Sequence, residues 1–148
     1  SIIVPDDIDI TFLKDFKRFI ETHIKKGYRF VIVCGGGRTC RMYRNAASAV
    51  ELTDKEDLDW LGIHSTRLNG HLLRTIFRKN ANPVVLKDPK KPLRFTEPLL
   101  IAAGWKPGFS TDYDTVLLAK RFGAKTVLNL SNTDYVYTKD PRKNPDCG

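Results

Sequence analysis

Arg29-Phe30-Val31-Ile32-Val33-Cys34 is a short, almost unbroken apolar run that stops at Gly35-Gly36-Gly37. A strand with one wet face alternates apolar and polar residues. A run apolar throughout belongs to a parallel strand covered on both sides. Such a strand needs helices to cover it, and helical patterns flank it. Phe12, Phe16, Phe19, Ile20 and Ile24 recur at helical spacing with Lys and Arg between them, and Gly27 stands where that helix should end. A polar helical segment is predicted from about Arg38 to Val50. Thr53-Asp54-Lys55-Glu56 reads as a capping box opening a longer helix, with Leu58, Leu61, Leu68, Leu72 and Leu73 as its buried stripe and Gly62 as a possible break.

Pro83–Leu86, Pro98–Ala103 and Lys125–Leu130 read as three further strands, with a helix from about Asp112 to Phe122 between the last two. Strands alternating with helices predict an α/β fold on a mainly parallel sheet. The 148 residues suit one domain, and the charged stretch Lys87–Lys91 reads as a surface connection rather than a linker.

The chain carries 25 basic and 17 acidic residues, a formal net charge of +8. That balance favours an anionic partner: nucleic acid, a membrane surface or a phosphorylated small molecule. Lys14, Lys17, Arg18, Lys25 and Lys26 are spread along a helical segment, not gathered in a run with interleaved aromatics, which speaks against nucleic acid. Cys34, Cys40 and Cys147 are odd in number and form no Cys-x-x-Cys pair, so a reducing, cytoplasmic setting is expected. No apolar run reaches the roughly twenty residues that span a bilayer, and a soluble, untargeted protein without membrane partners is expected.

Three places carry chemistry. Three glycines between a strand and a helix leave backbone N–H groups uncovered, so a phosphate can approach without meeting a Cβ; a tight chain reversal is the other reading. Arg38 and Arg41 follow and can add charge-assisted bonds. Gly104-Trp105-Lys106-Pro107-Gly108-Phe109-Ser110-Thr111-Asp112 joins a strand end to a helix start, where hydroxyls and free N–H groups favour an anion. Asp112 could equally be a first-turn acid or cap. Asn129-Leu130-Ser131-Asn132-Thr133-Asp134-Tyr135-Val136-Tyr137 turns a strand into a polar, aromatic loop, which is either a nucleotide site beyond a strand's carboxyl end or an ordinary Asn/Asp turn. His23, His64 and His71 are scattered over helical segments and read as structural or solvated.

Gly35-Gly36-Gly37-Arg38-Thr39-Cys40-Arg41, the stretch Asp59–Asn69, Pro107–Asp112 and Ser131–Pro141 together resemble the amino-acid kinase superfamily, and their order and spacing are most similar to the archaeal-type uridylate kinases. The resemblance implies a three-layer α/β/α sandwich in which ATP and the phosphoryl acceptor lie end to end over the strands' carboxyl ends. The acceptor would be UMP, converted to UDP with Mg²⁺ held mainly by the nucleotide phosphates. Gly36 and Asp59 would contact UMP, the Asp through a ribose hydroxyl. Trp105, Lys106, Pro107, Gly108, Phe109, Ser110 and Thr111 would hold the uracil and α-phosphate. Gly37 and Arg41 would face the transferred phosphates, and Ser1, Ser131, Asn132, Tyr137 and Asp140 would line the ATP site. Asp112 matches an acid that organises the catalytic centre in that superfamily, with Arg41 as its electrostatic companion. A homo-oligomer is implied for the full-length enzyme.

Two departures stand out. Members of the family begin with a strand followed by Gly-Gly-Ser, whereas this sequence opens at Ser1-Ile2-Ile3-Val4-Pro5; and they continue well past the Asp-Pro motif, whereas seven residues follow Pro141 here. Tyr135 also stands where Gly is usual. The expectation is a partial domain that lacks the first strand with its glycines and the later nucleotide half, and is not competent alone. Other readings are a kinase of another small acceptor, such as isopentenyl phosphate or a carboxylate, a non-catalytic nucleotide-binding module, and a basic nucleic-acid-binding domain.

Overall fold

The structure, a computed structural model, describes residues 7–130. Its centre is β3 (Leu99–Ala102), where Leu99, Leu100 and Ile101 are wholly buried. β1 (Phe30–Val33) and β2 (Ala81–Leu86) pair with it on either side, both parallel, in the order β1-β3-β2. Val33 lies opposite Ala102, and Leu86 opposite the same residue, so the three carboxyl ends are level. Side chains alternate across a strand, and the two faces of β3 enter different cores. Leu99 and Ile101 join Leu13 and Ile20 of α1 (Ile10–Lys25), Leu73 of α3 (Lys55–Ile76), and Phe77. Leu100 and Ala102 meet Leu118 of α4 (Thr111–Phe122) on the opposite face. Helices on both faces make this the three-layer α/β/α arrangement that the resemblance implies. α2 (Gly37–Val50) packs on α3, outside the sheet.

Local chemistry explains the first and last helices. Asp9 caps α1 by accepting from the Phe12 N–H at 2.8 Å, and Gly27, at φ +88°, lets the chain leave it. Ser110 caps α4 through the Tyr113 N–H, and Gly123 ends it in the left-handed conformation.

Four expectations need correction. The capping box does not form: Asp54 holds the N-cap position of α3 without a side-chain cap bond, and the Thr53 hydroxyl lies 3.3 Å from that of Ser48. Gly62 does not break α3, which runs through it; a Cβ there would stand 3.3 Å from the Cys40 sulfur, so the glycine serves close packing of α2 on α3. Leu68 is 63 % exposed, and the buried face runs instead through Ile63, Ser65, Thr66, Asn69, Gly70 and Leu73.

The fourth concerns Lys125–Leu130, which forms no strand. Val127, Leu128 and Leu130 have strand-forming side chains, but a strand exists only by pairing, and no described strand supplies a ladder to them. Residues 126–130 instead line a cleft of about 1280 Å³ together with Phe30–Val33 of β1 and Phe12, Phe16 and Phe19 of α1.

Candidate functional site

The carboxyl ends of β1 and β3 release two loops side by side, and both are tied to α3. In the first, the Cys34 N–H still bonds the Ala102 carbonyl at 2.9 Å, after which Gly35 and Gly36 lead into α2. The buried Asn69 amide donates to the Gly35 carbonyl at 2.8 Å and to the Gly36 carbonyl at 3.2 Å. Those two bonds fix the entry to α2, whose first-turn N–H groups have no acceptor within the helix. Gly37 takes φ +62°, a conformation a side chain would strain. Gly36 has ordinary dihedrals, yet a Cβ on it would lie 2.6 Å from the Cys40 Cβ. Its bareness lets α2 turn tightly out of the loop, a need distinct from the expected approach of phosphate. Arg38 and Arg41 are exposed on the opening turns of α2. Burial pushes the Cys34 thiol up to about 12, which removes it as a nucleophile or metal ligand at neutral pH.

The second loop leaves β3 through Gly104. Its N–H donates to the Thr66 hydroxyl at 2.8 Å, and that hydroxyl donates to the Ile63 carbonyl at 2.7 Å. A Cβ on Gly104 would fall 2.9 Å from the Thr66 oxygen, so only glycine comes this close to α3. The Arg67 guanidinium donates to the Trp105 carbonyl at 2.9 Å and, at 3.4 Å, to the Gly104 carbonyl. Asp59, from the start of α3, accepts the Gly108 N–H at 3.1 Å. One carboxylate oxygen is thereby engaged with the loop, and the ribose contact expected of Asp59 would have to share the side chain with it.

Aromatic rings line the loop. Trp105 lies 4.9 Å from Phe109, and Phe109 5.0 Å from Tyr113, centroid to centroid. The Lys106 ammonium stands 4.5 Å from the Trp105 ring and 5.2 Å from Phe109, and Lys90 approaches Trp105 at 5.1 Å. Flat apolar rings beside cations suit a molecule with both an aromatic base and negative charge. Pro107 is half-buried, while Ser110 and Thr111 open α4, where the helix dipole favours anions. Because Ser110 is the cap, Asp112 is not needed for that task, and its carboxylate is exposed on the first turn. Gly35, Thr111 and Asp112 line the same cleft, so the glycine loop and the start of α4 share one opening.

The structure thus brings Gly36, Gly37, Asp59, Trp105–Thr111 and Asp112 to the carboxyl ends of adjacent strands. Ser1, Ser131, Asn132, Tyr135, Tyr137 and Asp140 lie outside the described residues. Thr66, Arg67 and Asn69, which fasten the loops, were given no roles from the sequence, and Asp114 was not singled out at all. The signal for Thr66 and Asn69 was a pair of polar residues about one helical turn apart among apolar neighbours on α3.

A model of the amino acid kinase family matches residues 1–147. The chain belongs to that family. Relatives in the amino acid kinase family include the uridylate kinases of Thermococcus sibiricus, 36 % identical over 150 residues, and Thermococcus onnurineus, 37 % identical over the same length. Each alignment takes in 99 % of this chain and 65 % of the relative, so the chain spans just under two thirds of the curated proteins it matches. The crystal structure of uridylate kinase from Archaeoglobus fulgidus superposes with a TM-score of 0.76 at 25 % identity, covering 99 % of this chain and 67 % of that one.

Proposed function

We propose that this chain carries the acceptor-binding part of an enzyme that transfers a phosphoryl group from ATP to UMP, giving UDP. The observation that carries the reading is the double fastening on α3: Asn69 holds the glycine loop, and Asp59, Thr66 and Arg67 hold the aromatic loop, at the carboxyl ends of neighbouring parallel strands. Phosphoryl transfer through a loose transition state asks a protein for in-line positioning and charge neutralisation, not for a nucleophile of its own. The start of α2 with Arg41, and the start of α4 with Ser110 and Thr111, provide two anion sites for that purpose. Trp105, Phe109 and Lys106 supply a stacking surface with adjacent charge for the uracil nucleotide. Asp112, exposed at the mouth of the cleft, organises the charged centre.

ATP brings its own phosphate ligands for Mg²⁺. Among the described residues no three His, Cys, Asp or Glu side chains converge, and a single exposed carboxylate fits an ion bound chiefly through phosphates. Mg²⁺ would add neutralisation of the transferred phosphoryl oxygens. The cleft beside the edge of β1 that no other described strand pairs supports a further strand in that position as part of the complete domain. Exposed Met42, Tyr43 and Val50 on α2 support self-association, and the free thiols of Cys34 and Cys40 support a reducing, cytoplasmic setting. No described helix is long and apolar enough to cross a membrane.

The test is binding and turnover. Calorimetry should find UMP bound in preference to inorganic phosphate and to isopentenyl phosphate, and the chain extended with the remaining family segments should release ADP only when UMP is supplied. Preference for a non-nucleotide acceptor would remove the uridylate reading.

A further inference from the structure

Asp114 is the one buried carboxylate among the described residues, with 1 % of its surface exposed. Its Oδ2 accepts the Trp105 N–H at 3.2 Å, while Oδ1 has no hydrogen-bond partner. Burial raises its proton affinity, the Trp105 N–H offsets part of that rise, and the Asp88 carboxylate on the β2–β3 connection adds to it. A half-satisfied buried carboxylate is a poor choice for stability, since an apolar side chain of similar shape would cost nothing in desolvation. Its position gives the reason for keeping it.

Among the described residues, every other side-chain hydrogen bond to residues 104–108 comes from α3: Thr66 on the Gly104 N–H, Arg67 on the Gly104 and Trp105 carbonyls, and Asp59 on the Gly108 N–H. Among the described residues, the Asp114–Trp105 bond is the one side-chain link from α4 back to residues 104–108. We propose that Asp114 is a positioning residue that sets the aromatic loop against the first turn of α4, holding the Trp105–Lys106 stacking surface at a defined distance from the anion site at Ser110 and Thr111. The carboxylate acts through backbone placement and touches no substrate. Its consequence for a ligand, though not the link itself, rests on the nucleotide-acceptor reading above.

The test compares Asp114→Leu and Asp114→Asn with the parent 148-residue chain by amide hydrogen exchange, urea unfolding and UMP calorimetry. Asn retains an oxygen that can accept the Trp105 N–H; Leu does not. In Asp114→Leu, exchange at Trp105 should accelerate and UMP affinity fall by about tenfold each, the effect of one lost hydrogen bond, and the unfolding midpoint should fall by no more than the unpaired Trp105 N–H accounts for. Asp114→Asn should keep both exchange and affinity near the parent values. Unchanged Trp105 exchange in the Leu variant would overturn the proposal, as would an Asn variant that exchanges at Trp105 as fast, or binds UMP as weakly, as the Leu variant. If the parent chain binds no UMP but the exchange difference appears, the link stands and the acceptor reading fails.

Discussion

Gly36→Ala is a sharper probe of the glycine loop than a bulky substitution, because the obstacle it meets is specific. The new methyl would sit 2.6 Å from the Cys40 Cβ and 3.4 Å from its sulfur, with the Gly62 carbonyl at an ordinary 3.5 Å. Cys40 cannot turn its Cβ away by changing rotamer, so the loop and α2 must part by roughly 1 Å, and overpacking of this kind costs about 1–3 kcal/mol. Removing the obstacle should restore most of that. Cys40→Gly alone should cost about 0.3 kcal/mol through helix propensity, besides its lost contact with Gly62. The double variant should then be more stable than the sum of the two predicts, with a coupling of about 1–2 kcal/mol. Urea unfolding followed by circular dichroism measures all four corners of the cycle. Additivity within about 0.5 kcal/mol would show that Gly36 is not held bare by Cys40, and the expected exclusion of side chains by an approaching phosphate would regain its place as the reason for glycine.

Asp112→Asn should depress UMP-dependent turnover in the completed enzyme at least tenfold, on the order of one charge-assisted contact, while leaving the unfolding midpoint within a degree or two; Ser110 carries the cap, so matched losses of activity and stability would show Asp112 to be structural. Cys34 should resist iodoacetamide at pH 8 until the chain is unfolded, because burial holds it as the thiol with a pKa of about 12, and mass spectrometry of the labelled peptide reports this directly. Asp114 gives a pH signature. Its proton affinity is raised in the folded chain, so the native state binds more protons than the unfolded one as pH rises through the ordinary carboxylate range, and stability falls over that interval. Asp114→Asn should therefore gain stability over the parent above that range and lose the advantage in acid, and a difference independent of pH would refute the assignment.

Much of the architecture was legible along the chain. The apolar run before Gly35 and the run before Gly104 became β1 and β3, and the Phe12–Ile24 stripe became α1, since burial on one or both faces imposes its period on neighbouring residues. Strand-like composition at Lys125–Leu130 misled because pairing depends on a partner that composition does not contain. The leucine stripe of α3 misled at Leu68 for a related reason. The face that meets the sheet end is partly polar, and its Thr66 and Asn69 are buried at 6 % and 3 % exposure because they satisfy loop backbone.

The order of the two loops, their glycines and the hydroxyls that open α4 were determined by the sequence alone, through short-range backbone chemistry that each residue carries with it. Tertiary structure decided what holds those loops in register. Asn69 reaches back 34 residues to Gly35, Thr66 reaches forward 38 to Gly104, and Asp114 returns nine to Trp105. A buried polar side chain is stable only beside its partner, and that partner is brought within bonding distance by the packing of α3 and α4 around the sheet.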